Sequence, residues 1–233
     1  MTEPLPVVYV VRPGNENAEL RYSLRSLQNV PHGEVWVVGH RPPHVTNVRH
    51  LFVPQRDPNR FKYENALRLL QEIAELGPDR FALFNDDFYC LAPVRGMPLP
   101  AHRGPLLEQA AERSGRYGEM LRATAQLLIE AGHADPLAYT LHAPLVMSRA
   151  GLQLTLDHGL RHRTSELERL SWRSLYGNLM RLGGDRVPDV KVHGEGGAPA
   201  GAWVSTADTS FRYHEIGQVI RRALSRPSPY EQL

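Results

Sequence analysis

Residues 81–91 read FALFNDDFYCL. Four apolar residues run into Asn85, Asp86 and Asp87, and the chain then turns apolar again. Adjacent carboxylates repel each other and sit badly at the margin of a hydrophobic core. As hard oxygen donors they suit a divalent cation such as Mg²⁺ or Mn²⁺, which cancels the repulsion and bridges to substrate phosphates. Such an ion also stabilises a diphosphate leaving group when a sugar–phosphate bond breaks. Asp86 and Asp87 are therefore the candidate metal ligands, and Asn85 and Asp86 are candidates for binding a phosphorylated donor. The competing assignment is a plain turn, because Asn and Asp readily bond their own backbone.

The elements that must position this stretch are legible upstream. Val7–Val11 is a short β-branched run, as expected of a strand buried on both faces. Leu20, Leu24 and Leu27 recur at helical spacing in AELRYSLRSLQ. EVWVVG (34–39) reads as a second buried strand broken by HRPPH, and HLFVP (50–54) as a short third. Leu69, Leu70, Ile73 and Leu76 line one face of a second helix that Gly77 and Pro78 stop. FALF is the next strand. The order β-α-β-β-α-β predicts an α/β fold with a mostly parallel, Rossmann-like sheet flanked by helices. Open sheets of this kind bind ligands beyond the carboxyl ends of their strands, which is where NDD and RPGNEN fall. The second half reads as more helical. Long helices are expected over 105–131, 165–182 and 209–225, with a strand and turn in LAYTLHAPLVMS (137–148) and a flexible loop in GEGGAPAG (194–201). One domain covers 1–233 in this reading, with a donor-binding half (1–100) and an acceptor-side half (101–233).

Several polar residues lie where such a fold would bind a donor. Arg12 ends the first strand beside the Gly14 loop, placed to clamp a diphosphate. Asn15 and Asn17 suit either bonds to a nucleotide or helix capping. Lys62 and Asn65 open the second helix, whose N-terminus favours anions; a solvated helix face is the alternative. His158 and His162 stand four apart as in helical zinc pairs, but no third ligand follows. GEGGAPAG lacks the Lys-Ser/Thr ending of a phosphate loop, leaving a lid as its alternative use. Trp172, Tyr176 and Trp203 suit stacking on a base or a sugar, with core packing as the default.

Composition limits the classes. The chain has 233 residues, 42% hydrophobic and 22% charged, enough for an ordinary core without metal or disulfide staples. Cys90 is the only cysteine, so no internal disulfide forms. Net charge is +2, and no basic run marks a nucleic-acid stripe. Of 27 basic residues only Lys62 and Lys191 are lysines. MTEPLPVVYVV has neither a basic leader nor a long apolar core, so a cytoplasmic protein without a transmembrane segment is expected.

AELRYSLRSL, then EVWVVGHRPP, then FALFNDDFYCL resemble the Stealth-type sugar-phosphate transferases of capsule synthesis, whose fold is GT-A-like. LHAPLVMSRAGL, SWRSLYGN, and STADTSF with PSPYE resemble that family's later segments, in the same order. The resemblance implies a site role for Arg21. It implies His142 as base for an acceptor hydroxyl, Arg173 as the partner of phosphate charge, and Asp208 as a second acid, base or metal ligand; Asp208 equally suits a helix N-cap. Where the family's first strand ends in aspartates, this chain has Arg12 and Pro13. The leading expectation is accordingly a metal-dependent glycosyltransferase that moves a sugar from a nucleotide-sugar, UDP-sugars foremost, to an acceptor hydroxyl. Sugar-1-phosphate transfer and a non-catalytic carbohydrate-binding or scaffold role are the alternatives. The acceptor is left open among a glycan, a protein, a lipid carrier and a modified DNA base.

Overall fold

The computed structural model describes residues 4–14, 16–162, 169–197 and 200–232. In chain order the strands and helices of the first hundred residues are β1 (Val7–Val11), α1 (Ala18–Ser26), β2 (Val35–Gly39), β3 (Arg49–Leu51), α2 (Lys62–Leu76), β4 (Arg80–Asn85) and β5 (Phe88–Cys90). Then come β6 (Ala101–His102), α3 (Leu106–Ala111), α4 (Gly115–Glu130), β7 (Leu145–Ser148), α5 (Arg149–His162) and α6 (Trp172–Leu179). The chain closes with β8 (Asp185–Arg186), β9 (Lys191–Val192), β10 (Trp203–Thr206), α7 (Asp208–Tyr213) and α8 (Glu215–Ala223). These elements part into two compact units. Unit 1 takes Met1–Pro98, His142–Met147 and Val190–Leu233, and unit 2 takes Leu99–Leu141 and Ser148–Asp189.

Unit 1 carries a five-stranded sheet in the order β3-β2-β1-β4-β7. β1 pairs parallel with β2 on one side and β4 on the other, with Val7 opposite Val35 and Ala82. The predicted β-α-β-β-α-β order is therefore observed, and the sheet is parallel across β3, β2, β1 and β4. Continuous apolar runs form these strands because both faces are covered. Val7, Tyr9, Val11, Val35, Val37, Ala82 and Phe84 pack with Leu20 and Leu24 of α1, and with Leu27 just after it, into one core. The backbone at Gly39 has φ +107°, and a Cβ there would lie 2.4 Å from the Val11 carbonyl oxygen. Only glycine lets β2 end this close to the end of β1.

A second sheet, β5-β10-β9, completes unit 1. β10 is antiparallel to β5 and parallel to β9, so Ser205 stands opposite Phe88 on one side and Lys191 on the other. Tyr9 Oη and Ser23 Oγ lie 3.0 Å apart, and the Ser23 hydroxyl donates to the Phe88 carbonyl. This buried chain ties the parallel sheet, α1 and β5 together. α8 packs against β5, β10 and α7 through Ile216, Ile220 and Leu224. The C-terminal segment is held to α1 by Glu231, whose side chain is only 3% exposed and accepts from Arg25 Nε and Nη2, each at 2.8 Å.

Unit 2 is mainly helical, with the short parallel pair β6-β8. The single helix expected over 105–131 is two helices, α3 and α4. The chain breaks before Gly115, where φ is +63°, a conformation outside helical backbone. The helix expected over 165–182 is α6, Trp172–Leu179, and its first four expected residues lie outside the described residues. α5 was not anticipated. The expected final helix over 209–225 is also two, because His214 is extended (φ −108°, ψ 168°) between α7 and α8. The strand expected in 137–148 spans only Leu145–Ser148, and the third strand is Arg49–Leu51 rather than 50–54. No helix among the described residues is long and apolar enough to cross a membrane.

The Glu231–Arg25 pair gives a stability prediction. Burial raises the Glu231 carboxyl, but the hydrogen bonds from Arg25 and Ser228 outweigh it and hold the group below its ordinary 4.5. Its contribution to stability is therefore full above that value and is lost as pH falls through the folded-state value. Arg25→Ala is expected to cost about 3 kcal/mol at neutral pH, since it strands a buried carboxylate. The penalty should shrink in acid, as Glu231 takes up a proton; urea unfolding at the two pH values measures both.

Candidate active site

β4 ends at Asn85, and Asp86 and Asp87 form the turn into β5. The turn sits at the carboxyl edge of the parallel sheet, beside the end of β1, because Val10 pairs with Asn85. Successive residues leave a strand on opposite sides, and the two aspartates have different surroundings. Asp86 Oδ2 accepts from Asn17 Nδ2 at 2.8 Å and lies 3.9 Å from Arg12 Nε. Asp87 Oδ2 accepts from Lys191 Nζ at 2.7 Å and from Ser205 Oγ at 3.1 Å.

Asn17 does two jobs. Its Oδ1 caps α1 by accepting from Leu20 N at 3.0 Å, while its Nδ2 donates to Asp86. Capping thereby fixes the first turn of α1 against the acidic turn. That turn carries Glu19, which the sequence reading passed over. Glu19 is 5% exposed; Oε2 lies 3.5 Å from Arg12 Nη2, and Oε1 is buried without a hydrogen-bond partner among the described residues. Arg12, exposed over 57% of its side chain, thus stands between two carboxyls. It directly follows β1, with the acids already part of its surroundings.

The electrostatics follow from three acids meeting two cations. Burial first, then the charges of Asp86, Asp87 and Asp208, push the Glu19 carboxyl up to about 8, against a pull from Arg12. Burial and the Asp87 charge also raise Asp86, while Asn17 and Arg12 lower it. At neutral pH, Glu19 holds its proton.

The other expected residues are placed as follows. Asn85 is half-buried at the last position of β4. Lys62 is exposed at the first position of α2, while Asn65, three residues on, is buried and spends its amide on Arg56, accepting from its N–H at 3.0 Å and donating to its carbonyl at 2.8 Å. Arg21 faces the C-terminal segment, 3.9 Å from Glu231, rather than the acidic turn. Its spacing one turn before Arg25 puts both guanidiniums on the same carboxylate. Asp208 is not a cap. The cap position is Ala207, and Asp208 opens α7 and accepts from Arg212 Nε at 2.9 Å, one helical turn on. His142 is half-buried just before β7 in unit 1, and Arg173 is on α6 in unit 2. Asn15 lies outside the described residues. Cys90 is buried, donates to the Ala92 carbonyl, and has its thiol raised to about 11 by burial, as an inert packed cysteine should.

In this arrangement Asp87 offers a divalent ion no open oxygen. Asp87 Oδ2 is closed by an ammonium and a hydroxyl, and Asp87 Oδ1 is buried from solvent. Among the described residues no three His, Cys, Asp or Glu side chains converge as a ligand set. Around the turn stand two fixed cations, Arg12 and Lys191.

The raised Glu19 carboxyl has a measurable consequence. The unfolded chain loses this proton near 4.5 and the folded chain near 8, so folding holds an extra proton between them. Stability must then fall as pH rises through that window. Glu19→Gln should flatten this decline and match or exceed the parent's stability at the alkaline end. Thermal melts across the window read it directly.

No protein-family model matches the chain, and no curated protein matches it. Among solved structures it is similar to the apo-form glycosyltransferase GlyE of Streptococcus pneumoniae TIGR4, with a TM-score of 0.39 and 10% identity over 78% of this chain. This chain spans 44% of that one, less than half its length. It is also similar to the PaToxG glycosyltransferase, with a TM-score of 0.37 and 11% identity over 99% of this chain and 82% of that one.

Proposed function

We propose that this chain is an enzyme that binds a nucleotide-sugar at the acidic turn of unit 1 and transfers the sugar to an acceptor hydroxyl. The observation that carries the reading is the convergence of Arg12, Asn17, Glu19 and Asp86 at the carboxyl edge of a parallel sheet. Two separate stretches, AELRYSLRS and FNDD, supply the acids there. They are also the stretches that resemble the Stealth-type transferases, which fits a GT-A-like donor site.

In the transfer, the acceptor oxygen bonds to the anomeric carbon and the bond from that carbon to the diphosphate breaks. The electron pair leaves with the diphosphate. Arg12, half-exposed and already oriented by Glu19 and Asp86, meets the phosphate charge with a planar fork of donors. Asn17 and Asp86 hold one another in place as hydrogen-bond partners for the donor's hydroxyls. The proton of the acceptor hydroxyl passes to a base, for which His142 at the start of the segment leading into β7 is the candidate.

The test is donor turnover with a panel of UDP-, GDP- and CMP-sugars. Release of a nucleoside diphosphate marks sugar transfer, and release of a monophosphate marks sugar-phosphate transfer. Arg12→Ala is expected to weaken donor binding by about tenfold, the loss of a charge-assisted hydrogen bond. Asp86→Asn keeps the shape of the side chain, and turnover should fall by about a hundredfold if its charge serves the transition state. A chain that neither binds nor turns over any donor of the panel is not a nucleotide-sugar enzyme.

A further inference from the structure

Lys191 belongs to no motif in the sequence and to no segment of the family resemblance. It is one of only two lysines, in a chain that uses arginine at 25 other positions. Arginine is a planar fork, whereas lysine is a compact point charge with three N–H donors. The fold delivers this compact charge to the acidic turn. β10 sets Ser205 opposite both Phe88 and Lys191, and from there Lys191 Nζ and Ser205 Oγ reach the same oxygen of Asp87. The Lys191 side chain is 17% exposed and that of Asp87 12%, so the pair is mostly covered but not sealed.

A buried ion pair kept only for stability should satisfy the carboxylate fully. Among the described residues, Asp87 Oδ1 has no hydrogen-bond partner, nor does Oε1 of the 5% exposed Glu19 in the same cluster. The cluster thus combines an unspent buried acceptor, Asp87 Oδ1, with an ammonium whose other two N–H groups are not taken by Asp87.

We propose that Lys191 is the fixed cation of the donor site: its ammonium holds the place on Asp87 that a divalent ion would take and meets the donor's diphosphate, so that nucleotide-sugar binding needs no added metal. The inference rests on the donor-site reading above. As the bond to the anomeric carbon breaks and the electron pair leaves with the diphosphate, Lys191 and Arg12 are the two positive groups facing the added charge.

Donor affinity by calorimetry, with EDTA or with Mn²⁺, tests this on the full chain. The parent should bind its donor equally under both conditions. Lys191→Met should bind at least about tenfold more weakly in EDTA and recover with Mn²⁺, because Asp87 then has a free oxygen. The double variant Lys191→Met with Asp87→Asn carries no stranded charge and keeps the test valid if the single variant unfolds. It should remain weak and should not recover with Mn²⁺. Parent binding that EDTA abolishes overturns the inference, as does parent-like affinity in Lys191→Met. Parent-like affinity in the double variant also overturns it, for Lys191 would then serve only to neutralise Asp87. These three results leave the donor-site reading standing. Absence of binding to every nucleotide-sugar under both conditions overturns the two together.

Discussion

Asp87 is the point at which the two sheets of unit 1 are joined. It follows the parallel sheet directly, and its carboxylate is held by Lys191 and Ser205 from the smaller sheet. A buried carboxylate tolerates this place only with its cation present. Everything at the neighbouring Asp86 depends on that constraint, because the turn has no freedom to swing once Asp87 is fixed. Asn17 can then serve the helix and the acid together, and Arg12 can stand at fixed distances from Glu19 and Asp86.

The scaffold behind the turn is stiff for a second reason. α1 is pinned from three directions: by its leucines in the core, by Ser23 between Tyr9 and Phe88, and by Arg25 on Glu231. Buried polar groups that are fully partnered specify one arrangement of the elements around them. Among the described residues, Glu19 Oε1 and Arg21 Nε on this helix are buried without a hydrogen-bond partner, and Glu19 is the acid of the two. Glu19 has one oxygen near Arg12 and one without a hydrogen-bond partner among the described residues, and its carboxyl stays protonated because burial makes the charge expensive. A rigid helix with one under-satisfied acid at its first turn is what a binding site borrows from a scaffold.

How much of this the sequence disclosed depended on the range of the interaction. Strands buried on both faces announce themselves as apolar runs, so β1, β2 and β4 were legible, and with them the location of the acidic turn. Helix breaks were not. Gly115 and His214 interrupt stretches whose apolar spacing continues through the break, so periodicity alone reads them as one helix. α5 has a weak apolar face with two glycines in it, and its pattern did not stand out. Within the site, Arg12 and Asp86 could be singled out because each directly follows a strand. Glu19 lies in a quoted motif yet looks like any first-turn helix acid; only its burial distinguishes it. Lys191 was beyond reach, because nothing local ties it to a residue 104 positions away. The pairing of Arg21 with the distant Glu231 was beyond reach for the same reason.

That separation of 104 positions also orders events as the chain is made. Synthesis is slow beside local folding, and upstream segments emerge first. β1, β2 and β4 can pair as soon as they emerge, but the acidic turn then waits without its counter-ion while all of unit 2 is translated. β5 waits likewise for β10. The nascent chain therefore holds an open edge guarded by two carboxylates, and like charge on an unpaired edge discourages joining to a neighbour. The acidic turn is its own gatekeeper until Lys191 arrives to close it.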